Sequence, residues 1–140
     1  MIFLNILFSI KPCFVEKILN GEKRYEYRRR GIHNSNQVNF AFIYACRPLQ
    51  KIVAAFSVNE ILIEEPFKIW ERTKNFSGLT EQEFNQYFQN KNKAYAFLID
   101  DLKIFDTPVD PFVLDKNFCP PQSFYFLRSG VLDEKLCNLV

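Results

Sequence analysis

Only a few short helical stretches interrupt a chain that otherwise reads as extended apolar runs, and their irregular placement restricts the fold more than any other feature. The run from Ile2 to Ile10 has the length and the β-branched and aromatic content of a buried strand. Pro12 suits the first turn of a helix, where its missing N–H is no loss. Phe14, Val15, Ile18 and Leu19 give that helix one apolar face, and Gly21 suits its left-handed close. Lys23 to Arg29 then alternates as a strand. Lys23, Tyr25, Tyr27 and Arg29 fall on one face, and Arg24, Glu26, Arg28 and Arg30 on the other. Past a polar loop at Gly31 to Gln37, strands are expected over Val38 to Cys46 and, after a turn at Arg47-Pro48, as one long run from Lys51 to about Ile63. Pro66 opens a helix carrying Phe67, Trp70 and Thr73, which Gly78 ends. The capping box Thr80-Glu81-Gln82-Glu83 starts another, with Phe84, Tyr87 and Phe88 on one stripe. Ala94 to Ile99 and Leu102 to Phe105 read as strand with a kink at Asp100-Asp101, and Ser123 to Arg128 as the last strand. This order, β-α-β-β-β-αα-β-β, lacks the regular alternation of a doubly wound sheet. It predicts an α+β domain, a small mixed β-barrel with one helix after the first strand and an inserted helical pair.

A chain of 140 residues is long enough for one core, so a single domain over 1–140 is expected, with its core over about 3–128 and a tail over 129–140. Phenylalanine is unusually common at 16 residues. Phe3, Phe8, Phe14, Phe42, Phe56, Phe84, Phe88, Phe97 and Phe124 fall on expected core faces, so large rings are expected to fill the barrel. Cys13, Cys46, Cys119 and Cys137 form no CxxC pair, and His33, in a polar loop, is the sole histidine. They are read as buried or partly buried free thiols, with no metal and no cofactor. Glu60, Glu64 and Glu65 have no Asp or His beside them and read as solvated acids. The first apolar run is short and interrupted by Asn5 and Ser9, so it reads as a strand and not as a signal peptide or membrane span. A cytoplasmic location follows as the expectation.

Charge is where the sequence becomes specific. The whole chain carries +2, yet Gly21 to Arg30 alone holds five Lys/Arg against two Glu, a local +3. Such a patch on a near-neutral body suits an anion site, and Tyr25 and Tyr27 between the cations suit base stacking beside phosphate neutralisation. The same pattern also suits a solvated edge strand whose cations deter pairing, with Glu26 as a local ion-pair partner.

These residues resemble a known family. Gly21-Glu22-Lys23-Arg24-Tyr25-Glu26-Tyr27-Arg28 is similar to the G-x-K-x-x-E-x-R signature of ASCH domains, members of the PUA-like superfamily of small β-barrels. The resemblance runs from about Phe3 to Leu127, through Ser9-Ile10-Lys11-Pro12, Ile43-Tyr44-Ala45, Trp70-Glu71-Arg72-Thr73, Ser77-Gly78-Leu79, Lys93-Ala94-Tyr95-Ala96 and Pro120-Pro121-Gln122-Ser123-Phe124. It implies a cleft between the first helix and the barrel, lined by the signature residues, and RNA, single-stranded or carrying a modified base, as the partner. Lys23 and Arg28 would contact phosphate or a base edge, Glu26 would orient a cation or accept from a base, and Lys11 would add a second phosphate contact. Arg30, Tyr44, Arg47, Tyr95, Gln122 and Ser123 complete the candidate set.

Two other functions remain open at this stage. A ribonuclease or nucleotide-acting hydrolase could use Lys23 or Arg28 on a pentavalent phosphate and Glu26 as general base. Amidohydrolase relatives carry a Thr where this chain has Glu26, which removes the hydroxyl nucleophile and argues against that activity here. A protein-interaction module would instead use the aromatic surface around Phe76, Phe84 and Phe88.

Overall fold

A computed structural model describes residues 4–32 and 37–140; the expectations for Phe3 and His33 fall outside them. The strands are β1 (Leu4–Ile10), β2 (Tyr25–Arg28), β3 (Val38–Ala45), β4 (Lys51–Ser57), β5 (Ile61–Glu64), β6 (Ala94–Leu98), β7 (Asp100–Val109) and β8 (Phe124–Phe126). The helices are α1 (Pro12–Leu19), α2 (Pro66–Thr73), α3 (Glu81–Tyr87), α4 (Pro111–Leu114) and α5 (Val131–Cys137), with a 3-10 turn over Lys74–Phe76. Local signals act as expected at two helices. Pro12 opens α1, Gly21 sits at φ +88 just past its end, and Thr80 and Glu83 exchange both bonds of a capping box at α3.

The strands do not close into a barrel. They form a five-stranded sheet, ordered β7-β4-β3-β1-β8, and a three-stranded sheet, ordered β2-β6-β5. β1 runs parallel to β3, with Ser9 opposite Tyr44, and antiparallel to β8. The expected strand from Lys51 to Ile63 is two strands in different sheets: β4 pairs with β3 and β7, whereas β5 pairs with β6. The chain changes sheet through Val58-Asn59-Glu60, and crosses back between β6 and β7 beside Asp101, held at φ +48.

The alternation of side chains explains this two-sheet arrangement. Ile6, Phe8, Ile10, Ala41, Ile43, Ala54 and Phe56 face Phe97 and the small sheet, with Val15 and Ile18 of α1 in the same core. Phe8 meets Phe97 edge-on at 5.1 Å and Phe124 at 5.2 Å. Each such fully buried ring contributes about 1.5–3 kcal/mol of transfer free energy. The opposite face of the large sheet buries Leu7, Phe42, Tyr44 and Ile52 with Leu132 and Leu136 of α5, so the segment read as a tail is part of the packing. Tyr27 and Ala96 on the outer face of the small sheet are covered by Ile69 and Phe84 of α2 and α3. Trp70 packs there at 4.9 Å from Phe84, as core. The thiols are free, but Cys13, Cys119 and Cys137 are exposed, against the buried or half-buried reading. No described helix is long and apolar enough to cross a membrane.

Candidate functional site

The signature strand is buried on both faces. Tyr27 points outward to Phe84 and Phe88, with its hydroxyl 2.6 Å from Thr73 Oγ1, and burial pushes its pKa up to about 12. Glu26 and Arg28 point inward, between the sheets. Lys23 precedes the strand proper, so the two-residue alternation that set it on the face opposite Glu26 does not apply to it. Its ammonium turns to donate to Ser77 O at 2.8 Å, lies 3.5 Å from Glu26 Oε1, and sits over the Tyr27 ring at 4.6 Å. Gly78 admits this path: a Cβ there would come within 2.7 Å of Lys23 Cβ.

Lys23, Glu26 and Arg28 are only 2%, 6% and 8% exposed. Burial pulls the Lys23 ammonium below the usual lysine range, against the pull of Glu26 in the opposite direction. Arg28 Nη2 donates to Glu26 Oε2 and, at 3.2 Å, to Ser9 O. Its Nη1 donates to Ser123 Oγ at 3.1 Å and Ser123 O at 3.3 Å, while Nε is buried without a partner. Arg28 thus spans the end of the β1–β8 ladder, where Ser9 N–H already donates to Ser123 O. These three residues form an internal brace between the sheets, with the donors of Lys23 and Arg28 directed at protein partners. Glu26, shared between two cations, holds them in place and does not stand open as a general base.

The other candidates surround that brace. Tyr95 lies directly across from Arg28 on β6. Ser123 is half-buried, Gln122 is exposed beside it, and Arg30 is exposed with Nη2 donating to Phe124 O at 2.6 Å. Lys11 is the exposed N-cap residue of α1, and exposed Arg47 follows Cys46, whose N–H donates to Ile10 O. Lys11, Arg47, Arg30 and Ser123 therefore gather at one rim, the carboxyl end of the parallel β1–β3 pair and the start of β8. Tyr44 is 2% exposed on the other face of the large sheet, at 5.6 Å from the Phe118 ring. Its hydroxyl and that of Ser9, its register partner, are buried without partners. Burial raises the Tyr44 pKa.

The groove beside α1 holds about 390 Å³ and is lined by Pro12, Val15, Leu19, Ala45 and Leu49 together with Glu16 and Asn20, and by none of the signature residues. This groove is mainly apolar, and the signature residues lie apart from it, supporting the rim from beneath. Sequence reasoning missed Ser9 and Ser77 because both act through backbone carbonyls. The one visible signal was a polar Ser9 inside an apolar strand. Among the described residues, no group of His, Cys, Asp and Glu is arranged to hold a metal ion.

Comparison with known proteins now adds to this geometry. A family model described as a domain of unknown function (DUF365) matches residues 3–116. An ASCH domain-containing ribonuclease of Zymomonas mobilis is 32% identical over 128 residues, which cover 87% of this chain and 83% of that protein. The crystal structure of ASCH from Z. mobilis superposes with a TM-score of 0.83 at 28% identity, covering 95% of this chain and 94% of that one. A mutant of the same protein with a serine-to-alanine exchange gives 0.84 at 29% identity, over 96% and 95%. The chain spans nearly the whole of these relatives, shares their two-sheet architecture, and belongs to the ASCH-domain family with a PUA-like fold.

Proposed function

We propose that this protein binds unpaired RNA along the rim formed by Lys11, Arg47, Arg30 and Ser123, with the buried Lys23–Glu26–Arg28 brace fixing the rim's shape. The observation that carries the reading is this row of exposed cations beside a hydroxyl, on a chain similar over most of its length to a protein named a ribonuclease. Exposed cations at a rim neutralise phosphates, and affinity from that source falls steeply with salt. The brace keeps Ser123 where Arg28 donates to its oxygen, which leaves the serine hydrogen free to bond a phosphate or 2′-hydroxyl.

The second reading, cleavage of the bound RNA, is favoured by the relative's name. In it the exposed cations Lys11 and Arg47 would stabilise charge on the reacting phosphate, and Ser123, held by Arg28, would position it. The exposed free thiols and an RNA partner support a cytoplasmic setting. Titration of a labelled single-stranded RNA at low and moderate salt tests the first reading, followed by gel analysis of the same RNA for the second. Lys11→Ala and Arg47→Ala should each weaken binding and flatten its salt dependence; no binding at low salt refutes the proposal. Intact RNA after prolonged incubation refutes cleavage alone.

A further inference from the structure

Arg28, Arg29 and Arg30 are consecutive, and each lays its guanidinium against an aromatic ring: Phe8 at 4.9 Å, Tyr87 at 4.2 Å and Phe124 at 3.9 Å. Their surroundings separate them. Arg28 is buried, and its terminal nitrogens are taken up by the brace. Arg29 is exposed but sits on the helical flank, with Nε donating to Tyr87 O at 2.7 Å. Arg30 is exposed and stands beside Ser123, because the ring it covers belongs to the next residue.

Arg30 is also held flat. Its Nη2 is fixed on Phe124 O, and the ring beneath is itself immobilised, 3% exposed and packed 5.2 Å from Phe8 and 6.0 Å from Phe97. A cation placed to grip phosphate offers its N–H edge. Here part of that edge is bonded to the backbone and the guanidinium carbon lies over the ring, 3.9 Å from its centroid, in a side chain that is otherwise exposed. We infer that Arg30 is a stacking platform for one unpaired base of the RNA, a base whose phosphate lies at the Ser123 end of the rim. This rests on the RNA reading above and adds the chemistry of the base. Guanidinium planes accept bases by stacking, every base has such a face, and a base inside a duplex cannot offer it. The platform therefore selects unpaired strands without reading sequence, and favours purines for their larger ring. A plane already ordered by Phe124 binds without first having to be immobilised.

The test compares the wild type with Arg30→Lys, which keeps the charge and loses the plane, using a fluorescein-labelled single-stranded RNA and a set of the same RNA with one abasic site at each position. Circular dichroism and thermal melting establish that the variant is folded. The expected result is an affinity loss of about 5- to 150-fold for Arg30→Lys, with an unchanged slope of log affinity against log salt. One abasic position should cost the wild type a similar factor and cost Arg30→Lys nothing. If Arg30→Lys binds the intact RNA as the wild type does, or retains the full abasic penalty, the platform is wrong while RNA binding stands. A wild-type protein that binds no RNA at low salt overturns the RNA reading, and the platform with it.

Discussion

Replacing Glu26 by Gln isolates the charge at the centre of the brace. The amide keeps the shape and an acceptor for Arg28, removes the anion between two buried cations, and turns an NH2 donor toward Lys23. At an effective dielectric of about 20, opposite charges 3.5 Å apart attract by about 4–5 kcal/mol. That attraction offsets the desolvation of groups that are nearly inaccessible to water. Removing one partner leaves the cost uncompensated, so Glu26→Gln is expected to lose about 3–5 kcal/mol at neutral pH. For a chain of this size that is roughly 10–15 °C in Tm.

The pH dependence identifies the cause. Burial lowers the Lys23 pKa in the folded protein, so the unfolded chain holds that proton to higher pH, and stability from this group rises with pH up to about 10.5. Without Glu26 the folded-state pKa falls further, and the variant begins this recovery at lower pH. The deficit against wild type should therefore shrink between neutral pH and about pH 10, by at most about 1.4 kcal/mol per unit. Urea unfolding of both proteins across this range measures it, and taking the difference cancels the tyrosines other than Tyr27 and Tyr87, whose pKa values Glu26 helps to raise. A deficit under about 1 kcal/mol, or one constant with pH, would refute the account of a desolvated lysine held by Glu26.

Three further outcomes follow from the same geometry. Gly78→Ala combines a left-handed φ of +71 with a Cβ 2.7 Å from Lys23 Cβ, so it should cost more than about 1 kcal/mol by urea unfolding; a neutral result would mean that Lys23 has another place to go. Thr80→Ala removes the Oγ1 that accepts from Glu83 N–H, leaves the reciprocal bond from the residue-80 N–H to Glu83 Oε1, and should cost about 1 kcal/mol, with loss of amide protection confined first to α3. Tyr27 holds its proton to about pH 12 in the fold, so its contribution is complete below about pH 10 and lost as pH rises from there through 12. Tyr27→Phe should lose about 1 kcal/mol at neutral pH and show a shallower alkaline decline; an unchanged decline would place it elsewhere.

Features written in adjacent residues were readable in the sequence, and features set by distant partners were not. Pro12 with Gly21, and Thr80 with Glu83, specify helix ends through bonds a few residues long. The change of sheet after Ser57 was invisible, because Lys51 to Ile63 has the same apolar run whether it stays in one sheet or crosses to another. α5 had a legible pattern, with Leu132 and Leu136 one turn apart and Asp133 and Glu134 in the first turn, and was passed over as tail. The site shows the same division. The signature pointed to Lys23, Glu26 and Arg28, but their burial depends on carbonyls of Ser77, Ser9 and Ser123, and no local pattern encodes a carbonyl's direction. Composition therefore located the charge and left open the choice between an ion pair and a contact surface, which depends on those distant carbonyls.

The pairing of β1 with β8 also has a consequence in time. Ser9 belongs to β1 and Ser123 immediately precedes β8, far apart in the order of synthesis, and Arg28 bonds to both. A chain still being synthesised can form α1 and the β3–β4 pair early, since those contacts are local. Until β8 emerges, however, β1 has one edge unpaired, Arg28 lacks its serine anchor, and Arg30 has no ring beneath it. The rim therefore forms only after β8 has joined β1.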